Sequence, residues 1–287
     1  MPYTNMNDAV ARLDEIEATA AAYSHAMGVL SLDAATAAPL GSAEGRGRTM
    51  AVLSNVIYSL AAAPDTRELL QFLTAHAQEL DPEHRRQVEI RKKSCDQLIR
   101  IPQEEYVAYN VLVNKAEGIW RVAKQQNDFA SFAPILEEIV AYNRKFAGYY
   151  DPEKLPYDAL LNEFEEGLTM ETLDAFFGKL RAVIVPLVRA IGEKEQPDTS
   201  FLDRSYPIEG QKKLARYLME VIGLREETCT IAESEHPFTC GFNNHDVRIT
   251  THYHEFAPTF AMFSTIHEGG HALYELGVED AYNHTCL

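Results

Sequence analysis

Two histidines and a glutamate stand close together near the end of the sequence, in the segment His267-Glu268-Gly269-Gly270-His271. In a helix, this spacing puts His267 and His271 one turn apart on the same face, where two neutral imidazole nitrogens can hold one zinc ion. Glu268 is near enough to take a proton from a water that the ion activates. The pattern predicts His267 and His271 as metal ligands and Glu268 as the catalytic base.

The alternative is an accidental motif whose histidines are ordinary polar side chains. The local context favours the metal, because the motif belongs to a predicted amphipathic helix that starts near Pro258 and ends at Gly277. Each glycine inside a helix costs about 1 kcal/mol relative to alanine. We therefore expect another backbone or a substrate to approach this helix closely at Gly269 and Gly270.

Most of the preceding chain has helical periodicity. Asp81-Pro82-Glu83 and Ile101-Pro102 are typical helix starts, and the second helix is expected to run through Trp120 to about Lys124. Three apolar stripes are interpreted as buried core: Ile135, Leu136, Ile139, Val140 and Phe146; Leu173, Phe176, Phe177, Leu180 and Ile184; Leu214, Tyr217, Leu218 and Val221. Pro186 is expected to kink or end the second of these helices, and residues 193–207 to form a loop.

Residues 229–254 have a different pattern. Val247, Ile249 and Thr251 alternate with more polar residues, which predicts two or three short antiparallel strands. His252 and His254 lie at strand spacing and could bind a metal. Two strand histidines without a third partner are more often surface residues, and we interpret them so.

Composition narrows the function classes. A net charge of -17 repels phosphate backbones and argues against a nucleic-acid partner. No apolar run approaches the ~20 residues needed to cross a bilayer, so no membrane partner is expected. The N-terminal residues lack a signal peptide, and the four scattered cysteines form no CxxC pair. These features favour a cytoplasmic protein without disulfides.

Several motifs resemble those of one family. Residues 264–275, which contain the two histidines, are similar to the zinc segment of the carboxypeptidase Taq family. His236-Pro237-Phe238, Asp246-Val247-Arg248-Ile249-Thr250 and the stretch from Tyr157 to Thr169 resemble other segments of the same enzymes. Their combination in the correct order is far more specific than the histidine motif alone.

The resemblance implies a mainly α fold, namely a helical shell around a long cleft, similar to neurolysin and angiotensin-converting enzyme. A small antiparallel sheet would lie next to the metal helix. It further implies one zinc ion per chain (cobalt or manganese being alternatives), peptide substrates and, as in many relatives, a homodimer. His236 and Arg248 are candidate substrate-binding residues. The alternatives are a structural turn packed on Phe238 for His236, and an ion pair with Asp246 for Arg248.

Three later motifs of the family are missing, among them Ile-Arg-x-x-Ala-Asp and Gly-x-x-Gln-Asp-x-His-Trp, so the chain resembles an N-terminal portion of such an enzyme. The third missing motif concerns the metal. The family's third zinc ligand is a glutamate in a later His-Glu-Ser/Gly-Gln motif, which does not occur before Leu287. We therefore expect residues 1–287 to be a single incomplete catalytic domain. Residues 1–100 would form a helical cleft wall, and residues 101–287 the other helices, the sheet and the metal helix. Four later residues could complete the site only in a strained or unpredictable fold, and are interpreted as surface residues: Glu275, Glu279, Asp280 and His284.

These observations predict a zinc-dependent metallocarboxypeptidase that removes C-terminal residues with broad specificity. Without the third ligand, the chain as given is expected to be impaired. Two alternatives stay open, an endopeptidase of another class with the same histidine motif and a non-catalytic fragment or interaction module.

Overall fold

The computed structural model describes residues 3–287, so Met1 and Pro2 of the predicted domain lie outside the described residues. Within that range the chain is mainly helical, as predicted. The helices are α1 (Met6–Thr36), α2 (Ala43–Ala62), α3 (Pro64–Ala75), α4 (Pro82–Leu98), α5 (Gln103–Gln126), α6 (Phe129–Tyr150), α7 (Pro156–Phe164), α8 (Met170–Gly192), α9 (Ile208–Val221) and α10 (Pro258–Leu276). The strands are β1 (Cys229–Glu233), β2 (Thr239–Asn243) and β3 (Asp246–Thr251).

The ends of several helices follow local capping chemistry. The side chain of Asp81 accepts a hydrogen bond from the backbone N–H of His84, and Pro82 occupies the first turn of α4. Helix α5 begins after Pro102 and continues to Gln126, two residues beyond the predicted end. Gly277 follows the last residue of α10, as predicted.

The residues divide into two compact units. One contains the described residues up to Ala133 together with Ser205–Leu287, and the other contains Pro134–Arg204. In the first unit, α1, α3 and α4 bury a cluster that includes Leu13, Leu69 and Leu73. The first unit also contains the sheet and α10.

The sheet has the order β1-β3-β2, with β2 antiparallel and β1 parallel to β3. The prediction of an antiparallel sheet was therefore wrong for β1. The short connection at Asn244 and His245 makes β2 and β3 antiparallel neighbours, which leaves β1 the opposite edge of β3. Because β3 is the central strand, Thr250 and Thr251 are both buried, and the predicted alternation is lost at its end.

Helix α8 contradicts the interpretation of its stripe as core. All its residues are described, and none of them is buried. The side chains of Phe176, Phe177, Leu180 and Ile184 are exposed, and Leu173 is only half-buried. Pro186 does not end the helix, which continues to Gly192. No helix in the described range is long and apolar enough to cross a bilayer.

Helix α9 packs through a face next to the predicted one. Its buried residues are Gln211, Ala215 and Met219, whereas Leu214, Tyr217 and Val221 are exposed. Gln211 can be buried because its amide donates hydrogen bonds to two backbone carbonyls, those of Tyr206 and His254. The hydrogen bonds of Gln211 therefore help to bury a face of α9 that the apolar periodicity alone did not indicate.

Candidate metal and active site

Helix α10 is held against the sheet by a small apolar core. Met219, Val247, Ile249 and Ala272 are each at most 4% exposed within this cluster. A Cβ atom added to Gly269 would lie 2.3 Å from Cδ1 of Ile222, so a side chain approaches the helix closely at this glycine. The close approach expected at Gly269 is therefore made by a side chain and not by a backbone, whereas a Cβ on Gly270 would meet no protein atom within 4 Å.

The two motif histidines lie on the outer face of α10. His267 and His271 are exposed, their ring centroids are 5.0 Å apart and their planes are at 82°. Such a pair of imidazoles fits two positions of a zinc site. No group of three or more histidine, cysteine or acidic side chains is arranged to hold a metal in residues 3–287. The described residues thus bring the two predicted ligands together, and the metal site stays a prediction.

Glu268 is buried where α10 faces the sheet. Glu268 is 7% exposed, and its Oε2 accepts a hydrogen bond of 2.7 Å from the hydroxyl of Thr239. The same hydroxyl lies 3.0 Å from the backbone oxygen of Glu268. A buried carboxylate needs such a partner, because its burial is otherwise costly. Thr239 is the first residue of β2, and sequence reasoning did not single it out.

Two of the recognised motifs are joined through Thr250. Its hydroxyl accepts a hydrogen bond of 2.9 Å from the backbone N–H of Phe238, and its own N–H donates to the Phe238 carbonyl at 2.8 Å. The hydroxyl of Ser234 lies 2.7 Å from both the Thr250 hydroxyl and the carbonyl of His236. These bonds fix the turn that precedes β2.

Arg248 is engaged by neighbouring side chains. Its Nε and Nη2 donate to the two carboxylate oxygens of Asp246 at 2.8 and 2.7 Å. The guanidinium also lies 4.9 Å from the ring centroid of Phe242. The hydrogen bonds from Arg248 lower the pKa of Asp246. These contacts match the ion-pair alternative, and a role of Arg248 in substrate binding stays a prediction.

His236 is exposed and borders a cavity of about 550 Å³. The cavity lies in the first unit, and its wall also contains Trp120, Glu117 and Phe238. An exposed imidazole on a cavity wall could reach a bound ligand. Its predicted role in substrate binding is untested.

The other candidate histidines lie just beyond β3. The rings of His252 and His254 are 4.5 Å apart, and Nδ1 of His252 lies 2.7 Å from the Ser234 carbonyl oxygen. Partial burial, with a smaller contribution from His252, lowers the pKa of His254. Within residues 3–287 this pair has no further metal-binding side chain arranged around it.

The residues that follow the motif are mainly at the surface, as interpreted. Glu279, Asp280 and His284 are exposed, and Asp280 accepts a hydrogen bond of 2.7 Å from the Asn244 amide. Glu275 is an exception, because it is half-buried and packs against Gly241. A Cβ on that glycine would lie 2.9 Å from Oε2 of Glu275.

Comparisons with known proteins agree with the motifs. Residues 12–287 match the carboxypeptidase Taq (M32) metallopeptidase family. Carboxypeptidase 1 of Bacillus subtilis is 36% identical over 266 residues, a match that covers 92% of this chain and 53% of that protein. Thermostable carboxypeptidase 1 of Thermus thermophilus is 32% identical over 270 residues, covering 90% of this chain and 53% of the relative.

The fold agrees with solved structures as well. The crystal structure of BsuCP matches with a TM-score of 0.95 and 34% identity, over 98% of this chain and 56% of that one. The M32 carboxypeptidase from Deinococcus radiodurans R1 matches with a TM-score of 0.83 and 32% identity, over 97% of this chain and 56% of that one. The chain thus spans about half the length of the relatives it matches. On the family match and these similarities, it belongs to the carboxypeptidase Taq (M32) metallopeptidases.

Proposed function

We propose that the chain carries the metal and proton-transfer part of a metallocarboxypeptidase that removes single residues from the C-termini of peptides. The observation that carries the proposal is one helix with two exposed histidines a turn apart and a buried glutamate beside them. Membership of a family of metallopeptidases and carboxypeptidase relatives supports the same chemistry. Neither an endopeptidase nor an interaction module accounts for all of these features as directly.

His267 and His271 would hold a divalent ion, which when bound supplies a lowered water pKa and polarises the scissile carbonyl. Glu268 takes the proton from the attacking water and passes it to the departing amine. Arg248 and His236 are proposed to contact the substrate, although the Asp246 ion pair competes for Arg248. Zinc is the ion we propose, since imidazole nitrogens suit it well, and cobalt or manganese are alternatives.

Several finer properties belong to the same proposal. Specificity is proposed to be broad, the location cytoplasmic and the assembly a homodimer. Activity is proposed to be impaired, because the described residues supply two ligands, whereas catalytic zinc sites use three protein ligands.

A peptide-release assay on the zinc-loaded 287-residue chain tests the proposal. One peptide has a free C-terminus, and a second of the same sequence is C-terminally amidated. We expect slow release of the last amino acid from the free peptide alone. The variant Glu268→Gln should bind zinc as the wild type does but release none.

The other outcomes separate the alternatives. Internal cleavage of the amidated peptide would indicate an endopeptidase. No release together with no zinc binding would indicate a non-catalytic fragment. Release as fast as that by Bacillus subtilis carboxypeptidase 1 would overturn the proposed impairment, and equal release by Glu268→Gln would overturn the role of Glu268.

A further inference from the structure

Thr239 is the residue through which the sheet contacts the carboxylate of Glu268. Its hydroxyl donates to Oε2 at 2.7 Å, a charge-assisted bond that is stronger than the longer contact to the neutral backbone oxygen of Glu268 at 3.0 Å. In the described part of the chain, Thr239 alone donates a hydrogen bond to this carboxylate. The bond occupies Oε2 and leaves Oε1 without a donor among residues 3–287.

The position of Thr239 is itself strongly determined. It pairs with Ile249 in the β2–β3 register, and Ile249 is completely buried in the core under α10. The preceding residue, Phe238, is bonded through both its N–H and its carbonyl to Thr250. A slip of one residue in β2 would reverse its faces and turn the Thr239 hydroxyl away from Glu268.

We propose that Thr239 is a positioning residue for catalysis, a role that rests on the proposed function of Glu268. By holding Oε2, the hydroxyl keeps the carboxylate in one orientation and presents Oε1 to the attacking water. The His-Pro-Phe turn and Thr250 then act on the reaction indirectly, because they place Thr239. Catalytic groups generally need to be held to within about 0.5 Å of their productive position.

The test compares Thr239→Val, which removes the hydroxyl at nearly constant volume, with Thr239→Ser, which keeps it. Crystal structures of the wild type and both variants, with and without zinc, would show the carboxylate position directly. We expect Glu268 to move by more than about 0.5 Å in the valine variant and to stay in place in the serine variant. Thr239→Ala replaces the valine variant if that protein does not fold.

Kinetics on the zinc-loaded proteins give the second measurement. The valine variant should lower kcat about 10- to 100-fold with KM nearly unchanged, because misplacement of a catalytic group affects the transition state more than binding. The serine variant should recover most of this loss. Zinc affinity, measured by calorimetry, should be the same in all three proteins.

Two results would overturn the proposal. One is a carboxylate that keeps its position without the hydroxyl. The other is a valine variant with wild-type kcat and lowered stability only, which would make Thr239 a purely structural link between α10 and the sheet. If the wild type has no turnover although Glu268 moves in the valine variant, the proposed function fails while the positioning contact stands.

Discussion

Helices α10 and α8 are both rich in apolar residues, but they are packed very differently. Helix α10 buries Ala261, Thr265, Glu268, Gly269 and Ala272 against its neighbours. Helix α8, with all 23 residues described, buries none, although it has nine exposed large apolar side chains. An apolar pattern therefore shows that a helix can be buried, whereas burial itself depends on what packs against it.

The contacts of α10 also show what fixes the orientation of a buried helix. In α10, polar contacts to the sheet accompany the apolar ones: the hydroxyl of Thr239 donates to the Glu268 carboxylate, and the Thr251 and Ser264 hydroxyls lie 2.6 Å apart. These bonds define one orientation of the helix on the sheet. The proposed site depends on that orientation, because it buries Glu268 beside β2 and leaves the two histidines exposed.

The same substitution in both regions should give the largest contrast. Ile249 is completely buried under α10, and Ile191 on α8 is 53% exposed. Ile249→Ala should lower the free energy of unfolding by about 2–5 kcal/mol. Ile191→Ala should change it by less than about 0.5 kcal/mol. Urea unfolding followed by circular dichroism measures both, and equal losses would remove the distinction between the regions.

Substitutions at the two motif glycines compare the packed and the open face of α10. Gly269→Leu should cost about 1–3 kcal/mol, because the new side chain must displace Ile222 from a packed core. Gly270→Leu meets open space at its Cβ and should gain up to about 1 kcal/mol from helix propensity. Thermal unfolding of the two variants provides the measurement. A loss of the same size at Gly270 would show that both faces of the helix are packed.

A substitution at the buried Thr250 tests the hydrogen bonds that hold the turn before β2. Thr250→Val leaves the N–H of Phe238 without its side-chain acceptor and should cost about 1–3 kcal/mol. Thr230→Val, on the exposed edge of β1, is the matched control and should be neutral to within about 0.5 kcal/mol. Denaturant titration compares the two. A neutral result for Thr250 would mean that the turn before β2 is held by other contacts.

The smallest effect concerns Asp246. Its folded pKa is lowered by the hydrogen bonds from Arg248, so the carboxylate stabilises the fold above its unfolded pKa, about 4. That contribution is lost as the pH falls through the lower, folded pKa. Because the pair is one-third exposed, we expect Asp246→Asn to cost no more than about 1 kcal/mol at pH 7.

Stability measured against pH checks this prediction. The difference between wild type and Asp246→Asn should shrink as the pH is lowered from 5 towards 2. A difference that stays constant over this range would contradict the sign of the pKa shift, or show that the substitution acts through packing.

Local chemistry made much of the fold predictable. The Asp81 cap, the proline after it and Gly277 acted on neighbouring backbone groups, so the ends of α4 and α10 followed from sequence. The spacing of His267 and His271 likewise determined their common face. The mainly helical class was also confirmed, because helical periodicity depends on residues that are close in sequence. The neurolysin-like cleft and the single-domain assignment stay predictions.

Features that depend on distant residues were not predictable. The parallel pairing of β1 and the exposure of α8 depend on tertiary partners that periodicity does not reveal. Thr239 is 29 residues from Glu268, and a threonine after a His-Pro-Phe motif carries no local sign of that contact. The only sequence signal near it was the predicted strand region, residues 229–254, which precedes the histidine helix.

The most direct test of the whole account is zinc binding measured by calorimetry on the 287-residue chain and three variants. The account predicts one zinc ion per wild-type chain, and an affinity lowered at least about tenfold, or 1.4 kcal/mol, in both His267→Ala and His271→Ala. His252→Ala, which removes another histidine of the same unit, should bind as the wild type does. Equal affinity in the wild type and His267→Ala, or no binding by the wild type, would contradict the central claim.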